Sequence, residues 1–287
     1  MEIKVSAVVP VYNSVNTLER AIRSLLIQPE INEIFIVDDG SSDGSYELAK
    51  SLEIIHSLLK VLTHENRINK GASAARNLGL TYCTNEWIQF LDADDELLDG
   101  KVTKNIIYLI NKSSLIVGNS IYRNQYGEKK RHYWKNWKLG LLVTRLGVTS
   151  SNLWSKYWLV KVGGWNELIS SSQEYDLILR LAKVNPIFSF CPYFCSVIHE
   201  VPSSITRLGS LNSERIKNSM EFRYQVKKFL IEKKSYSFMH KMFFNGIIGN
   251  ISKKNNVPAE YSLLFYYIFK SYKFLSDRFV NNKYSIN

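Results

Sequence analysis

Each of three apolar segments in the first hundred residues stops at a cluster of polar side chains. The segments are residues 5–9, 33–37 and 87–91, and helix-like stretches lie between them. Strands that alternate with helices at this spacing predict an α/β fold with a doubly wound, mostly parallel sheet. Because ligands bind such sheets at the carboxyl ends of the strands, we expect the three polar clusters to share one binding edge.

The acidic cluster after the third segment constrains the chemistry most. Asp92, Asp94 and Asp95 directly follow the apolar run of residues 87–91. Unpaired carboxylates repel one another and are costly to desolvate, so we expect them at the strand's exit, where a divalent cation could neutralise them. Mg²⁺ and Mn²⁺ prefer oxygen ligands, commonly one or two carboxylates plus the phosphates of a substrate. A solvated acidic loop is the alternative for so short a pattern.

Two side chains are predicted to cap the helices that follow the strands. Asn16 precedes the first helix, and Glu19 stands three positions later, which is the spacing of a capping box. Asp43 is a candidate cap for the second helix. A third helix is predicted over residues 71–82.

The length of 287 residues fits one α/β domain of about 200 residues with an appendage. No segment reaches the roughly 18 consecutive apolar residues of a membrane span. The first residues run directly into a strand, which is not typical of a signal peptide. Cys83, Cys191 and Cys195 are odd in number and lack the spacing of a metal site, so we interpret them as reduced thiols of a cytosolic protein.

The basic charge lies almost entirely in residues 201–287. This segment holds 15 of the 37 Lys and Arg and 5 of the 26 Asp and Glu, which gives it a net charge of +10 and leaves +1 for residues 1–200. It also contains 16 Phe and Tyr, of which Phe243, Phe244 and Tyr266 would insert into a bilayer if they are not core residues. Basic and aromatic side chains suit an anionic membrane surface. The alternatives are nucleic acid, or a helical domain with an aromatic core and a solvated basic face.

Four motifs, in this order and spacing, resemble glycosyltransferase family 2. They are VPVYN at residues 9–13, IVDDGSSD at 36–43, NKGASAARN at 69–77 and LDADD at 91–95. The resemblance covers roughly residues 3–200 and implies the GT-A fold of nucleotide-diphospho-sugar transferases. On this basis we predict a catalytic domain over residues 1–205, with a nucleotide-binding half (1–100) and an acceptor-binding half (101–205). Residues 206–287 are predicted to be a basic, aromatic helical appendage.

The resemblance also implies which residues bind the donor, a UDP-sugar. It places them around the nucleotide and its diphosphate: Pro10, Tyr12, Asn13, Asp39, Lys70, Gly71, Arg76 and Asp92. Within this set, Asp39 can accept from the base N–H, and Tyr12 can supply an aromatic face. Arg76 has an alternative interpretation as a buried partner of the acidic cluster.

The resemblance assigns the metal, Mn²⁺ or Mg²⁺, to Asp94. Asp95 would bind the same metal or orient a neighbouring group, and Asp92 would lie near the ribose. His199 follows a predicted strand at a position where some relatives have a further metal or phosphate contact. A purely structural histidine is the alternative for His199.

The catalytic base is assigned to the motif SQEYDLILR at residues 172–180, which resembles the family's acidic helix start. Glu174 is the first candidate and Asp176 the second. The motif departs from the family pattern, since Gln173 replaces the first acid and Glu174 the usual Asp. The alternative to a catalytic role is that these acids only stabilise the N-terminus of a helix through its dipole. The chain lacks the Gln-x-x-Arg-Trp motif of processive synthases, which favours the addition of a single sugar.

The loop GGWNE at residues 163–167 resembles the acceptor side of the family's site. Trp165 would stack on a sugar there, or else belong to the core. Together the motifs imply an inverting, metal-dependent hexosyl- or N-acetylhexosaminyltransferase. It would act on a hydroxyl of a glycan, expected to be lipid-linked, in bacterial lipopolysaccharide, capsule or O-antigen synthesis.

The expected location is cytoplasmic, peripheral at the inner face of the cell membrane, with no nucleic-acid partner. Two other functions stay open. A sugar-nucleotide pyrophosphorylase has related topology but needs a Gly-rich, Arg-containing loop after the first strand, where this chain has residues 10–13. A non-catalytic membrane-surface scaffold on a degenerate domain is opposed by the acids at Asp39, Asp94 and Glu174.

Overall fold

The structure, a computed structural model, describes residues 3–200 and 213–283, with side chains up to residue 274. The chain divides into two compact units. The first, here called the sheet unit, comprises Met1–Lys135 and Leu146–Leu208, and the second, the helical unit, comprises Asn136–Arg145 and Gly209–Asn287. The domain boundary predicted between residues 205 and 206 lies outside the described residues.

The sheet unit contains one nine-stranded sheet. Its strands are β1 Val5–Val11, β2 Ile31–Asp38, β3 Leu59–Thr63, β4 Trp87–Phe90, β5 Glu96–Leu97, β6 Leu115–Asn124, β7 Gly127–Arg131, β8 Leu153–Ser155 and β9 Phe188–His199. Their order is β3-β2-β1-β4-β8-β6-β9-β5, and β7 pairs with β6 outside this path. Strands β3, β2, β1 and β4 are parallel, whereas β8 runs antiparallel to both β4 and β6. The predicted mostly parallel α/β sheet is confirmed.

Helices cover the sheet and form most of the helical unit. In the sheet unit they are α1 Leu18–Leu26, α2 Ser45–Ile55, α3 Ala72–Tyr82, α4 Lys101–Ile107, α6 Lys156–Lys161 and α7 Gln173–Val184. In the helical unit they are α5 Trp137–Leu142, α8 Ser213–Glu232, α9 Phe238–Asn255 and α10 Leu263–Lys283. A short 3₁₀ helix, Glu65–Arg67, precedes α3. The predicted helical C-terminal appendage is therefore present.

The central strands are buried on both faces, as parallel strands with helices on either side must be. In β1, six of the seven residues are buried, and the four residues of β4 are all buried. Their apolar runs end where the strands leave the core. The carboxyl ends of β1, β2 and β4 consequently meet at one edge, because these three strands are parallel neighbours.

The predicted capping box at Asn16 is wrong. Helix α1 begins at Leu18, and its N-cap, Thr17, makes no side-chain cap bond. The chain before α1 is held instead by the loop after β2, where the Asp43 carboxylate accepts the Val15 N–H at 3.0 Å and Ser45 Oγ accepts the Ser14 N–H at 2.7 Å. These partners are about 30 positions away along the chain, so a local spacing rule cannot identify them.

The aromatic residues of the helical unit that were candidates for membrane insertion lie in its core. Phe243, Phe244 and Tyr266 are each less than a tenth exposed. Phe243 packs edge-on against Phe269, with ring centres 5.5 Å apart. Insertion of these three side chains into a bilayer is therefore excluded as long as the unit stays folded. Within the described ranges, every helix is too short or too polar to span a membrane.

Close packing of α3 on the sheet depends on Gly79. A Cβ at this position would overlap Val8 Cγ1 of β1 and lie 3.2 Å from Val37 Cγ2 of β2. Both valines are fully buried, so neither can move without disturbing the core. The helix approaches these two strands only because position 79 lacks a side chain.

We predict that Gly79→Ala destabilises the protein by roughly 1–3 kcal/mol, the usual cost of an overpacked core. The measurement is the free energy of unfolding by urea denaturation. Thr81→Ala, at an exposed position of the same helix, is the control and should change this free energy by less than about 0.5 kcal/mol. Equal effects of the two substitutions would show that α3 can shift away from the sheet without cost.

Candidate active site

The loops after β1 and β2 are joined by the side chain of Asn13. Its amide oxygen accepts the Ser42 N–H at 2.8 Å, and its backbone N–H donates to Ser41 Oγ at 3.0 Å. Asn13 has a left-handed backbone with φ 49°, a conformation that asparagine tolerates better than most residues. The neighbouring Tyr12 is half-exposed, and Pro10 is partly buried in β1. These contacts make one continuous surface of the two predicted clusters.

Asp39 holds the start of α3. Its carboxylate is buried and accepts the backbone N–H groups of Lys70 at 2.7 Å and Gly71 at 2.8 Å. A carboxylate at a helix N-terminus is favoured by the unpaired amides and the helix dipole there. Gly71 has φ 88° and ψ 160°, which only glycine adopts readily. The side chain of Lys70 remains exposed beside this anchor.

Arg76 pairs with the acidic cluster. One of its guanidinium nitrogens lies 2.5 Å from Asp92 Oδ1, while the face of the guanidinium lies 4.6 Å from the centre of the Trp165 ring. Arg76 is 6% exposed, so the contact with Asp92 is largely desolvated on the arginine side. The structure therefore shows Arg76 as a buried partner of the acidic cluster, which is the second interpretation given above.

The expectation that Trp165 stacks on a sugar is wrong. Its ring is 2% exposed and packs against Phe90 and Trp154, with ring centres 5.2 and 5.7 Å away. A sugar cannot stack on this ring, because neighbouring residues cover almost all of its surface. Trp165 instead forms the aromatic floor on which Arg76 rests.

Among the described residues, neither Asp94 nor Asp95 forms an ion pair, and both carboxyl groups hold their protons more tightly than usual. Burial, and then the neighbouring charge of Asp92, raises the pKa of Asp94 to about 6. Burial and the charges of Asp92 and Asp94 raise the pKa of Asp95 well above its ordinary value, although Ser150 Oγ donates to this carboxylate at 2.6 Å. A bound cation would relieve both effects, because it favours the ionised carboxylates.

The residues present fit a divalent cation of the magnesium type. Among the described residues there is no group of three His, Cys, Asp or Glu side chains that could hold a metal by protein ligands alone. Carboxylate oxygens from Asp94 and Asp95 match the other mode, in which one or two carboxylates and substrate phosphates complete the coordination. The crowding of buried carboxyl groups, which raises the pKa of Asp94 and Asp95, is the observation that favours such an ion.

His199 is held close to the cluster by its backbone. Its N–H lies 3.4 Å from Asp95 Oδ1, whereas the ring Nε2 lies 3.1 Å from Glu96 Oε1. Burial is the main cause that lowers the pKa of this imidazole. The ring thus has a carboxylate partner, and a metal-binding role for His199 stays a prediction.

Glu174 lies in the first turn of α7, with its carboxylate fixed by Thr149. The backbone N–H and the hydroxyl of Thr149 donate to Glu174 Oε2 at 2.9 and 2.8 Å. Burial is the largest cause that raises the pKa of Glu174, and the charge of Asp92 raises it further. Thr149 is followed by Ser150, which donates to Asp95, so Glu174 lies near the acidic cluster.

Asp176, the second candidate base, is directed along its own helix. Its carboxylate forms an ion pair with Arg180 at 2.8 Å, and Arg180 also donates to the carbonyl oxygens of Val162 and Gly164. This arrangement gives Asp176 a structural partner. Glu174, whose partners are a hydroxyl and a backbone amide, keeps a carboxylate oxygen for other contacts.

Several residues of the site carry no sequence signal that could have identified them. Arg131 of β7 donates to the hydroxyl of Tyr122 in β6 at 3.0 Å. Burial raises the pKa of Tyr122, and the charges of Glu174 and Asp95 raise it further; the charge of Arg131 partly opposes the raised pKa of Glu174. Tyr122 and Arg131 come together through the β6–β7 pairing, and their electrostatic coupling to Glu174 joins segments that no local motif relates.

Residues 6–172 match the family described as Glycosyl transferase family 2. The chain is 32% identical over 215 residues to WfgD of Escherichia coli, a UDP-Glc:alpha-D-GlcNAc-diphosphoundecaprenol beta-1,3-glucosyltransferase; the match covers 70% of this chain and 79% of that protein. Chondroitin synthase of Escherichia coli is 27% identical over 247 residues, which cover 78% of this chain and 34% of that larger protein.

Two solved structures share the fold. TarS of S. aureus, in complex with UDP-GlcNAc, superposes with a TM-score of 0.67 at 15% identity, over 88% of this chain and 73% of that chain. The mannosyltransferase PcManGT of Pyrobaculum calidifontis, in complex with GDP-Man and Mn²⁺, superposes with a TM-score of 0.57 at 14% identity, over 96% of this chain and 81% of that chain.

We predict that Asp94→Asn stabilises the cation-free protein, increasingly so as the pH rises. The folded state holds the Asp94 proton more tightly than the unfolded chain, whose pKa is near the ordinary 3.8. Stability from the protonated carboxyl is therefore complete below that value and is lost as the pH rises through about 6. The measurement is the melting temperature in a chelator between pH 5 and pH 8, with the exposed Asp99→Asn as control. A difference from wild type that stays constant with pH would contradict this explanation.

Proposed function

Because the chain belongs to glycosyltransferase family 2, we propose that it transfers one sugar from a UDP-sugar to a hydroxyl of a lipid-linked glycan, with inversion at the anomeric carbon. The enzyme is a glycosyltransferase with the GT-A fold, as the sequence predicted. Family membership also favours transfer over the pyrophosphorylase and scaffold alternatives. One observation carries the finer proposal: neighbouring residues bind Glu174 and the acidic cluster, since Thr149 donates to the Glu174 carboxylate and Ser150 donates to Asp95.

The donor is proposed to bind across the loops after β1 and β2 and the start of α3. Tyr12 and Lys70 expose their side chains there, while Asn13 and Asp39 use theirs to fix the backbone. An exposed aromatic ring can cover a base, and an exposed ammonium group can offset phosphate charge. The name of WfgD, which specifies a UDP-linked donor, supports this choice of nucleotide.

The departing diphosphate is proposed to lie against Asp94 and Asp95, where Mn²⁺ or Mg²⁺ would be held. A cation bound there supplies charge stabilisation to the leaving nucleoside diphosphate. Arg76 orients Asp92 through its 2.5 Å contact, and the guanidinium of Arg20 fixes the loop by donating to the Asp94 carbonyl oxygen, also at 2.5 Å. The protein thereby positions its acids before any ligand binds.

Glu174 is proposed to accept the proton of the acceptor hydroxyl. Its raised pKa makes the carboxylate a stronger base than an ordinary glutamate, and Thr149 restricts its orientation. The acceptor is proposed to be lipid-linked because WfgD, which is covered over 79% of its length, is named for a diphosphoundecaprenol acceptor. The product would then belong to a bacterial surface polysaccharide.

A peripheral location at the inner face of the cell membrane completes the proposal. The helical unit carries the net positive charge of the chain, and exposed apolar side chains recur along one side of α10, namely those of Leu263, Leu264, Tyr267 and Phe274. Lys270 lies on the same side of the helix. Cationic and apolar groups together bind anionic bilayers, and a lipid-linked acceptor would be found there.

The experiment that tests the function is a screen of UDP-sugars with a GlcNAc-diphospholipid acceptor and Mn²⁺. We expect acceptor-dependent UDP release from one of the donors, and a loss of several orders of magnitude in Asp94→Asn with the fold retained. Donor-dependent release from GDP-sugars alone would refute the proposed nucleotide. Wild-type rates in Asp94→Asn would refute the role of the acidic cluster.

We predict that Glu174→Gln lowers kcat by about 10²–10⁴-fold with little change in donor affinity, because the residue acts on the acceptor proton. Asp176→Asn, which breaks the ion pair with Arg180, is the matched control. The acid limb of the wild-type pH profile should lie above the ordinary glutamate pKa of 4.5 and disappear in Glu174→Gln. A fully active Glu174→Gln beside an inactive Asp176→Asn would transfer the role of base to Asp176.

A further inference from the structure

The helical unit contains an open cavity of about 820 Å³ that the transferase site does not use. Three lysines line it: Lys227 of α8, Lys241 of α9, and Lys234 in the turn between these helices. We propose that this space, here called the basic cavity, binds the phosphate group of an anionic membrane lipid. The inference rests on the proposed membrane contact and names the residues that would make it selective.

The charge of the basic cavity favours an anion. Among the described residues, none of the three lysine ammonium groups forms an ion pair with a carboxylate. Lys227 Nζ instead lies 4.6 Å from the centre of the Phe244 ring, where its charge is only partly compensated. Glu260 is the one acidic residue of the lining, so the wall keeps two net positive charges. Unpaired lysines around a concave space are typical of phosphate recognition.

Tyr236 supplies a neutral donor to the same space. It lines the basic cavity, and its hydroxyl is buried with no hydrogen-bond partner among the described residues. Burial raises the pKa of this phenol, so it keeps its proton. A buried hydroxyl without a partner is rare in folded proteins and destabilising. A phosphate oxygen would be a suitable acceptor for it.

The surroundings of the cavity favour a lipid over a free anion. Phe265 and Ile231 line the cavity beside the lysines. Ile231 is 52% exposed, so an apolar group outside the protein can reach it. A ligand that carries both a phosphate and an apolar chain would satisfy the ammonium groups and cover Ile231 and Phe265. The same chemistry occurs in phospholipids and in lipid-linked diphosphate acceptors.

The test compares two triple variants that remove equal charge. The first variant replaces the three lysines of the basic cavity: Lys227→Gln/Lys234→Gln/Lys241→Gln. The second replaces three exposed lysines outside the cavity: Lys228→Gln/Lys233→Gln/Lys254→Gln. Binding of the full chain to vesicles of phosphatidylcholine with phosphatidylglycerol is measured by sedimentation. We expect the first variant to lose at least about tenfold more affinity than the second, because both variants lose the same charge and only the first loses the lysines that converge on the cavity.

If the two triple variants lose the same affinity for vesicles, the basic cavity is not a specific lipid site, and only a general attraction to anionic membranes remains. No binding of the wild type to anionic vesicles would refute the membrane contact and the cavity together. Transfer to a soluble acceptor should stay at the wild-type rate in both variants, because neither touches the transferase site. This activity separates a failure of the cavity from a failure of the proposed catalytic function.

Tyr236→Phe gives a second measurement that does not depend on net charge. We expect its melting temperature to equal or exceed that of wild type, because the lost hydroxyl has no partner in the protein. Its affinity for anionic vesicles should nevertheless fall several-fold. Unchanged vesicle binding in Tyr236→Phe, with an unchanged melting temperature, would remove the phenol from the proposed site and contradict the inference.

Two further arms distinguish the sources of the phosphate. Phosphatidylcholine vesicles that contain a polyprenyl diphosphate replace those with phosphatidylglycerol, and stronger cavity-dependent binding to them would support the inference and identify the acceptor lipid as the ligand. Inorganic phosphate is titrated as a competitor. If inorganic phosphate binds saturably and vesicles do not displace it, the cavity binds a free anion, and the proposal of a lipid ligand is wrong.

Discussion

The repulsion among three carboxylates at the end of β4 is the constraint around which the candidate active site is built. Asp92 is partly relieved by Arg76, and Asp94 and Asp95 keep raised pKa values because burial denies them water. Arg76 can hold its position because its guanidinium rests on Trp165. The aromatic core therefore determines where the positive charge of Arg76 lies. A substitution in that core would shift Arg76 and so change the electrostatic field at the carboxylates.

A second constraint is that some acidic residues of the site are engaged by the protein's own backbone. Asp39 uses both carboxylate oxygens to hold backbone amides at the start of α3, and Asp38 is fully buried, with Arg67 3.3 Å away. These carboxylates bring the ends of β2 and the start of α3 together. Groups with exposed side chains, Tyr12 and Lys70, are then left on the surface so formed. A motif residue can thus be essential to a site by shaping backbone rather than by touching a ligand.

The sequence was sufficient to predict strands β1, β2 and β4 and where they end. Apolar runs indicate buried strands, and the polar clusters that follow them indicate where the chain leaves the core. It was not sufficient where a side chain finds its partner through tertiary structure. Asn16 has the spacing of a cap, yet Asp43 satisfies the amide before α1. The contacts of Glu174 with Thr149, and of Arg131 with Tyr122, join segments that no periodicity relates. Trp165 shows the same limit, since an aromatic residue in a polar loop gives no sign of whether its ring is covered.

The helical unit shows why composition alone cannot assign a basic, aromatic segment to a membrane. Its aromatic residues divide into two groups that share one sequence signature: Phe243, Phe244 and Tyr266 are buried, whereas Tyr267 and Phe274 are exposed. Only the exposed group and the lysines can contact another molecule. Those lysines are not uniform either, since three of them line a concave space beside an unpartnered phenol, whereas others, such as Lys228 and Lys254, are exposed outside it. Attraction to a membrane follows from the number of charges, but recognition of a particular lipid requires that some of them converge.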